Sequence, residues 1–272
     1  MALELSSPTR MERYLRDIFG LQLLAHGYWR GEYVRMVGVP GGDGALLVLY
    51  NRPFIPRCRL RHIAIAVDVP VDEAVSELRR RGYEVDGEDI IRAPSGLAVS
   101  ITSVLGPRLA PAGDPSTQMA DVAWDPAVRT LVRGVHHVAL DVASHAPTLV
   151  WLAEVFGMDR VQTFDRRGEF IQTIKYSDAP VDAVGRQVSL LPLFLRHGIE
   201  ATRLNHIAFD VADADGAIKD IEARGVPADL WQDAMIHGPD DTWYQIDSYD
   251  TPFPIGHPAN HPGVPLFPYR YD

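Results

Sequence analysis

Apolar and polar positions along this chain fall into short bursts, and three of the bursts answer one another. They are Arg61-His62-Ile63-Ala64-Ile65-Ala66-Val67-Asp68, His136-His137-Val138-Ala139-Leu140-Asp141-Val142 and Asn205-His206-Ile207-Ala208-Phe209-Asp210-Val211. Each is rich in β-branched residues with small alanines between, which predicts a buried strand. An apolar stripe at helical spacing follows, with Ala74, Val75 and Leu78 in one copy and Ala217, Ile218 and Ile221 in another. Asp72 and Asp213 stand at the expected helix starts, where an acidic side chain caps free N–H groups. Gly82, Gly157 and Gly225 close the helices, 20, 20 and 19 positions after the histidines.

A fourth copy opens the chain. Ala2 to Ser7 runs into Pro8 to Phe19 and ends at Gly20; aligned on that glycine, its histidine position falls before Met1. Further strands are expected after each glycine: Glu32 to Val39 and Ala45 to Tyr50 around a Gly41-Gly42-Asp43-Gly44 turn, Gly96 to Val104, Phe170 to Tyr176, Arg186 to Leu193, Thr242 to Tyr249 and Phe253 to His257. The repeating unit is strand–helix–strand–strand–strand, so the expected class is α+β: four βαβββ modules paired into two half-barrel sheets with helices outside. Residues 1–105 form an N-terminal pair and 133–257 a C-terminal pair that carries the expected active site. Residues 106–132, rich in Pro, Gly, Ala and Asp, read as a linker, and 258–272 as a Pro-rich tail.

Composition narrows the function classes. The 272 residues carry a formal net charge of −10, which argues against a nucleic-acid partner, because phosphate neutralisation needs a basic surface. The single cysteine, Cys58, excludes an internal disulfide framework and a thiolate zinc cluster. No apolar run approaches the roughly 20 residues of a membrane span, and Met1 to Ser7 lacks the features of a signal segment. A cytoplasmic location without a membrane partner is the expectation.

The motifs HIAIAV, HHVALDV and LNHIAFDV, on four modules paired two by two, resemble the vicinal-oxygen-chelate superfamily of glyoxalase I, bleomycin-resistance proteins and type I extradiol dioxygenases. The resemblance covers roughly residues 2–257. It implies a cup of β-sheet formed by two modules with a metal inside, and for two-half chains an iron in the C-terminal half. Independently of it, strand alternation allows one imidazole each from His137 and His206 to point into a shared cavity, half of a first-row divalent site. The alternative is a pair of buried histidines bonded to backbone. His136 is expected to face away, and His62, without a partner in the first copy, to be a packing residue.

The resemblance also implies a glutamate on the last strand of the fourth module, in a Gly-Tyr-x-Ile-Glu context. Aligning Phe253 and Ile255 with that pattern puts Gly256 at the glutamate position. His257 is then the expected third ligand, with Asp247 on the preceding strand, or no ligand, as alternatives. By the same resemblance His237 is an acid–base group and Tyr244 a hydrogen-bond donor to a substrate oxygen. The implied activity is a metal-dependent, extradiol-type ring-cleaving dioxygenase acting on a small aromatic or vicinal-oxygen ligand. Its metal would be Fe(II), with Zn, Mn or Ni as substitutes. A glyoxalase- or epimerase-like lyase or isomerase and a metal-free, resistance-type binding protein are the alternatives. A homo-oligomer is compatible with the exposed sheet edges of such a fold.

Overall fold

A computed structural model describes residues 1–42, 44–87, 89–103, 116–166, 169–175, 191–229 and 234–250. The first half runs β1 (Ala2–Leu5), α1 (Pro8–Tyr14, continued by a π turn, Leu15–Phe19), β2 (Gln22–Trp29), β3 (Glu32–Gly38), β4 (Ala45–Asn51), β5 (Arg59–Val67), α2 (Val71–Arg80), β6 (Val85–Asp86), β7 (Ile90–Arg92), β8 (Ala98–Ser103) and β9 (Gln118–Asp121). The second runs β10 (Val132–Val142), α3 (His145–Phe156), β11 (Asp159–Arg166), β12 (Glu169–Lys175), β13 (Leu191–Leu195), β14 (Arg203–Val211), α4 (Ala214–Ala223), β15 (Met235–His237) and β16 (Trp243–Asp247).

Local signals place the helices. Ser7 accepts from the Arg10 N–H at the start of α1, and Asp213 accepts from the Gly216 N–H at the start of α4. Asp72 sits inside the first turn of α2, behind Pro70, where it complements the helix dipole. Gly20 ends the first helical segment in the left-handed region at φ 74°, and the Arg129 carbonyl lies 2.3 Å from where a Cβ would stand. Only glycine fits both demands.

The first and last strands of every module pair in parallel: β1 with β4, β5 with β8, β10 with β13, and β14 with β16. A parallel pair needs a crossover, and the intervening helix supplies it. First strands then join antiparallel, β1 to β5 and β10 to β14. The result is a nine-stranded sheet, β6-β7-β8-β5-β1-β4-β3-β2-β9, and a seven-stranded sheet, β11-β12-β13-β10-β14-β16-β15. β9 comes from the stretch read as a linker; it pairs with β2 through Ala25↔Asp121 to Tyr28↔Gln118.

Helices cover one face of each sheet, and the covered faces meet. One core joins Met11, Leu15 and Phe19 of the first module to Phe209, Ile218, Ile221 and Tyr244 of the fourth. Another joins Val75 and Leu78 of the second module to Leu140, Trp151 and Leu152 of the third. Each such side chain fully withdrawn from water contributes about 1.5–3 kcal/mol. The opposite, concave faces carry ion pairs in the first half and histidines in the second. The strand expected over Phe253 to His257 lies outside the described residues, and so does His257.

Candidate metal centre

Alternation on the seven-stranded sheet separates core from cup. Ile207, Phe209 and Val211 of β14, with Tyr244 and Ile246 of β16, face the helices. Their alternates His206, Ala208 and Asp210, and Trp243, Gln245 and Asp247, therefore face the cup. On β10, Val138, Leu140 and Val142 are core, leaving His137 and Asp141 on the concave side.

Strict alternation fails in front of each histidine. The β10–β14 register steps from Val135↔Phe209 to His137↔Ala208, so His136 is an extra residue in a β-bulge. It steps again from Ala139↔His206 to Leu140↔Leu204, making Asn205 extra. On β5 the step from Ala2↔His62 to Leu3↔Leu60 makes Arg61 extra. A bulge re-aims the side chain it inserts, and all three copies use one at the same place. His136, expected to face away, instead lies beside His137 with the two Nδ1 atoms 2.9 Å apart.

The His137 and His206 rings meet through their Nε2 atoms at 3.1 Å. Two imidazole nitrogens about 2.1 Å from one ion stand roughly 3.0 Å apart at a right angle and roughly 3.4 Å apart at the tetrahedral angle. The observed separation suits neighbouring positions on an octahedral ion, and equally an N–H···N bond in the metal-free protein. Burial, with smaller contributions from His206 and His136, holds His137 well below the usual histidine pKa and keeps it neutral, the form that ligates.

A carboxylate stands close by. One donor atom each from His136, His137 and Asp247 lie within 4.8 Å of one another, and Asp247 Oδ2 is 3.6 Å from His136 Nδ1. Because β16 pairs in parallel with β14, it is the fourth module's last strand, so Asp247 lies on the last strand and not on the one before it. The run Tyr244-Gln245-Ile246-Asp247 carries the Tyr-x-Ile-acid pattern, with aspartate for glutamate. The alignment through Phe253 and Ile255 lies nine residues further on, outside the described residues. This group, His136 and His137 of β10 with Asp247 of β16, supplies two imidazoles and a carboxylate, a donor set that suits a first-row divalent metal.

The remaining expected residues divide. His237 is on the cup side of β15, opposite Ile236 of the core; it is 54% exposed, 3.2 Å from Asp241 and 4.6 Å, ring to ring, from Trp243. Tyr244 is fully buried on the other face, stacked on Phe209 with its hydroxyl donating to Met11 Sδ, away from the histidines. A different tyrosine borders the site: Tyr249 stacks on His136 at 4.4 Å and donates to the His136 carbonyl. Phe194 meets His206 edge-on at 5.9 Å.

The N-terminal cup is built differently. Arg52 and Arg61 each pair with both Glu4 and Glu32, and the Arg61 guanidinium lies 4.1 Å over the Tyr50 ring. Burial opposes the charge on Glu32, but hydrogen bonds from Arg52 and Arg61 outweigh it and hold its carboxyl below the usual range. This closed ring of charges occupies the face that His62 shares.

Comparison with known proteins agrees with this architecture. The profile of the Glyoxalase/Bleomycin resistance protein/Dioxygenase superfamily matches residues 134–238. No curated protein matches the chain. Among solved structures, an Mn(II)-bound glyoxalase from Novosphingobium aromaticivorans aligns with TM-score 0.60 and 15% identity over 93% of this chain and 84% of its own. A 2,3-dioxygenase from a Pseudomonas species aligns with TM-score 0.64 and 12% identity over 92% of each chain. The 2,2',3-trihydroxybiphenyl 1,2-dioxygenase of Sphingomonas wittichii aligns with TM-score 0.59 and 15% identity over 93% and 95%. At such identities the likeness carries the fold alone. No described helix is long and apolar enough to cross a membrane.

Proposed function

We propose, from the match of residues 134–238 to the glyoxalase, bleomycin-resistance and dioxygenase superfamily, that the C-terminal cup is the active site of a metal-dependent, extradiol-type ring-cleaving dioxygenase. The observation that carries the reading is the 3.1 Å approach of His137 Nε2 to His206 Nε2 with Asp247 on the adjoining strand. His137, His206 and Asp247 would hold the ion, with Fe(II) the metal the reaction calls for. Bound there, it would chelate two adjacent oxygens of the substrate and supply the redox chemistry for dioxygen.

The chain's own residues then have distinct tasks. Phe194 and Tyr249 wall the site with aromatic surface suited to a planar ring. His237, on the cup side of β15, accepts the proton of a substrate hydroxyl at Nε2 and returns it. Asp241, 3.2 Å from that nitrogen, stabilises the cation so formed. A lyase or isomerase of the glyoxalase kind draws carboxylates from two modules, and the third module's last strand, Leu191–Leu195, has none.

Metal analysis of protein purified under argon is the test. Wild-type protein is expected to retain close to one ion per chain, and His206→Ala to lose it. Catechol and dioxygen added to the Fe(II)-loaded protein should then yield a yellow ring-fission product. Metal-free wild type would remove the metal reading; loaded protein inert towards catechols but active on a thiol hemiacetal would replace the dioxygenase with the lyase.

A further inference from the structure

The bulge in front of His206 does more than re-aim a side chain. Asn205 Nδ2 lies 2.8 Å from Asp141 Oδ1. A carboxylate only accepts, so the amide nitrogen must face it. The amide oxygen is thereby turned to His206, where Asn205 Oδ1 stands 2.7 Å from Nδ1. An amide oxygen also only accepts, so the His206 proton sits on Nδ1. The Nε2 lone pair is left facing His137. Arg196 Nε, 3.2 Å from the same Asp141 oxygen, anchors the outer end.

We propose that Asn205 and Asp141 are positioning residues that lock His206 in the Nδ1–H tautomer, so that its Nε2 lone pair is the one offered to a divalent cation. The proposal rests on the metal reading for its purpose, though not for its geometry. His137 is held differently. Its Nδ1 faces His136 Nδ1 at 2.9 Å, and an imidazole there donates or accepts according to its own tautomer. Without metal, His137 Nε2–H donates to the His206 lone pair and His136 Nδ1–H donates to His137, so the chain of bonds from His136 through His206 and Asn205 to Asp141 runs in one direction. Gln245 is a further partner of His137. For His137 to ligate through Nε2, its proton moves to Nδ1 and His136 becomes the acceptor. One ligand is thus fixed by an amide and a carboxylate, while the other is adjustable through an imidazole.

Nitrogen NMR of ¹⁵N-histidine-labelled, metal-free protein reads the tautomers directly, and Co(II) titration under argon reads the consequence. Wild type should show His206 protonated at Nδ1. Asn205→Ala and Asp141→Asn should each give a mixture of tautomers and weaken Co(II) binding about 10- to 100-fold, with the thermal melt of the metal-free protein checking that each remains folded. A wild-type His206 protonated at Nε2 overturns the lock. Scrambled tautomers with wild-type Co(II) affinity overturn its role in metal binding. Wild type with the lock intact but no affinity for Co(II) would instead remove the metal reading and leave the relay as a structural device.

Discussion

Phe19, at the end of the first module's helix, meets Phe209 on the first strand of the fourth edge-on at 5.0 Å. Tyr244 closes the group, 5.2 Å from one ring and 5.5 Å from the other, and all three are fully buried. This cluster joins the two halves of the chain through shared core. Truncating Phe209 to alanine removes the central ring, and the expected loss is about 3–5 kcal/mol, read as a lower urea midpoint. For the same reason a fragment starting near Arg133 would expose Phe209, Tyr244 and Ile246 to water. It is expected to aggregate or bind hydrophobic dyes; a soluble fragment with a cooperative unfolding transition would show that the halves fold separately.

Asp247 should matter to metal binding through its charge. Asp247→Asn preserves shape and the oxygen that accepts from the Ser248 N–H, but removes the one carboxylate that the described residues bring against the His136–His137 pair. Affinity for Co(II) or Fe(II) is expected to fall at least about tenfold, which is about 1.4 kcal/mol. Titration calorimetry under argon measures it. Unchanged affinity would mean that the third ligand comes from elsewhere.

Much of the fold is legible in the sequence because the repeat states each element more than once. Spacing from histidine to helix-ending glycine marks the modules, and a helix between first and last strands supplies the crossover that their parallel pairing needs. The cup is less legible. Alternation wrongly sends His136 outward, because a bulge is a register event between two strands and has no signature within one. Arg61, His136 and Asn205 occupy one position in three copies, yet differ in type too much to announce themselves. Tyr244 enters the expected site only through the resemblance, whereas its register beside Ile207 puts the ring in the core. β9 escaped because Pro and Gly around it signal a linker, and an edge strand needs few apolar residues.

Tyr244→Phe separates core from site. The substitution removes a buried hydroxyl that donates to Met11 Sδ and leaves the aromatic packing. About 1 kcal/mol of stability should be lost, with metal affinity and any ring-cleaving rate unchanged within twofold. Urea unfolding and Co(II) titration of the same preparation give both quantities. A selective fall in rate at normal stability would return Tyr244 to the active site.

His62 gives the fold a dependence on pH that is separate from the metal centre. Burial, helped by the Met1 amino group, pushes its pKa down to about 4, whereas in an unfolded chain histidine titrates near 6.5. Between those values the unfolded state binds the extra proton, so stability rises with pH across the window. The contribution of a neutral, buried His62 is complete above about pH 6.5 and is lost progressively as pH falls towards 4, by at most about 3 kcal/mol. Asp89 opposes the shift, while Arg61 and Arg30 reinforce it, so burial sets most of its size and these charges adjust it. Urea midpoints for wild type and His62→Gln at pH 7.5, 6 and 4.5 isolate the effect, since the carboxylates titrating in that range are common to both. Wild type should fall more steeply than the variant; parallel curves would mean that protonated His62 is accommodated in the folded protein.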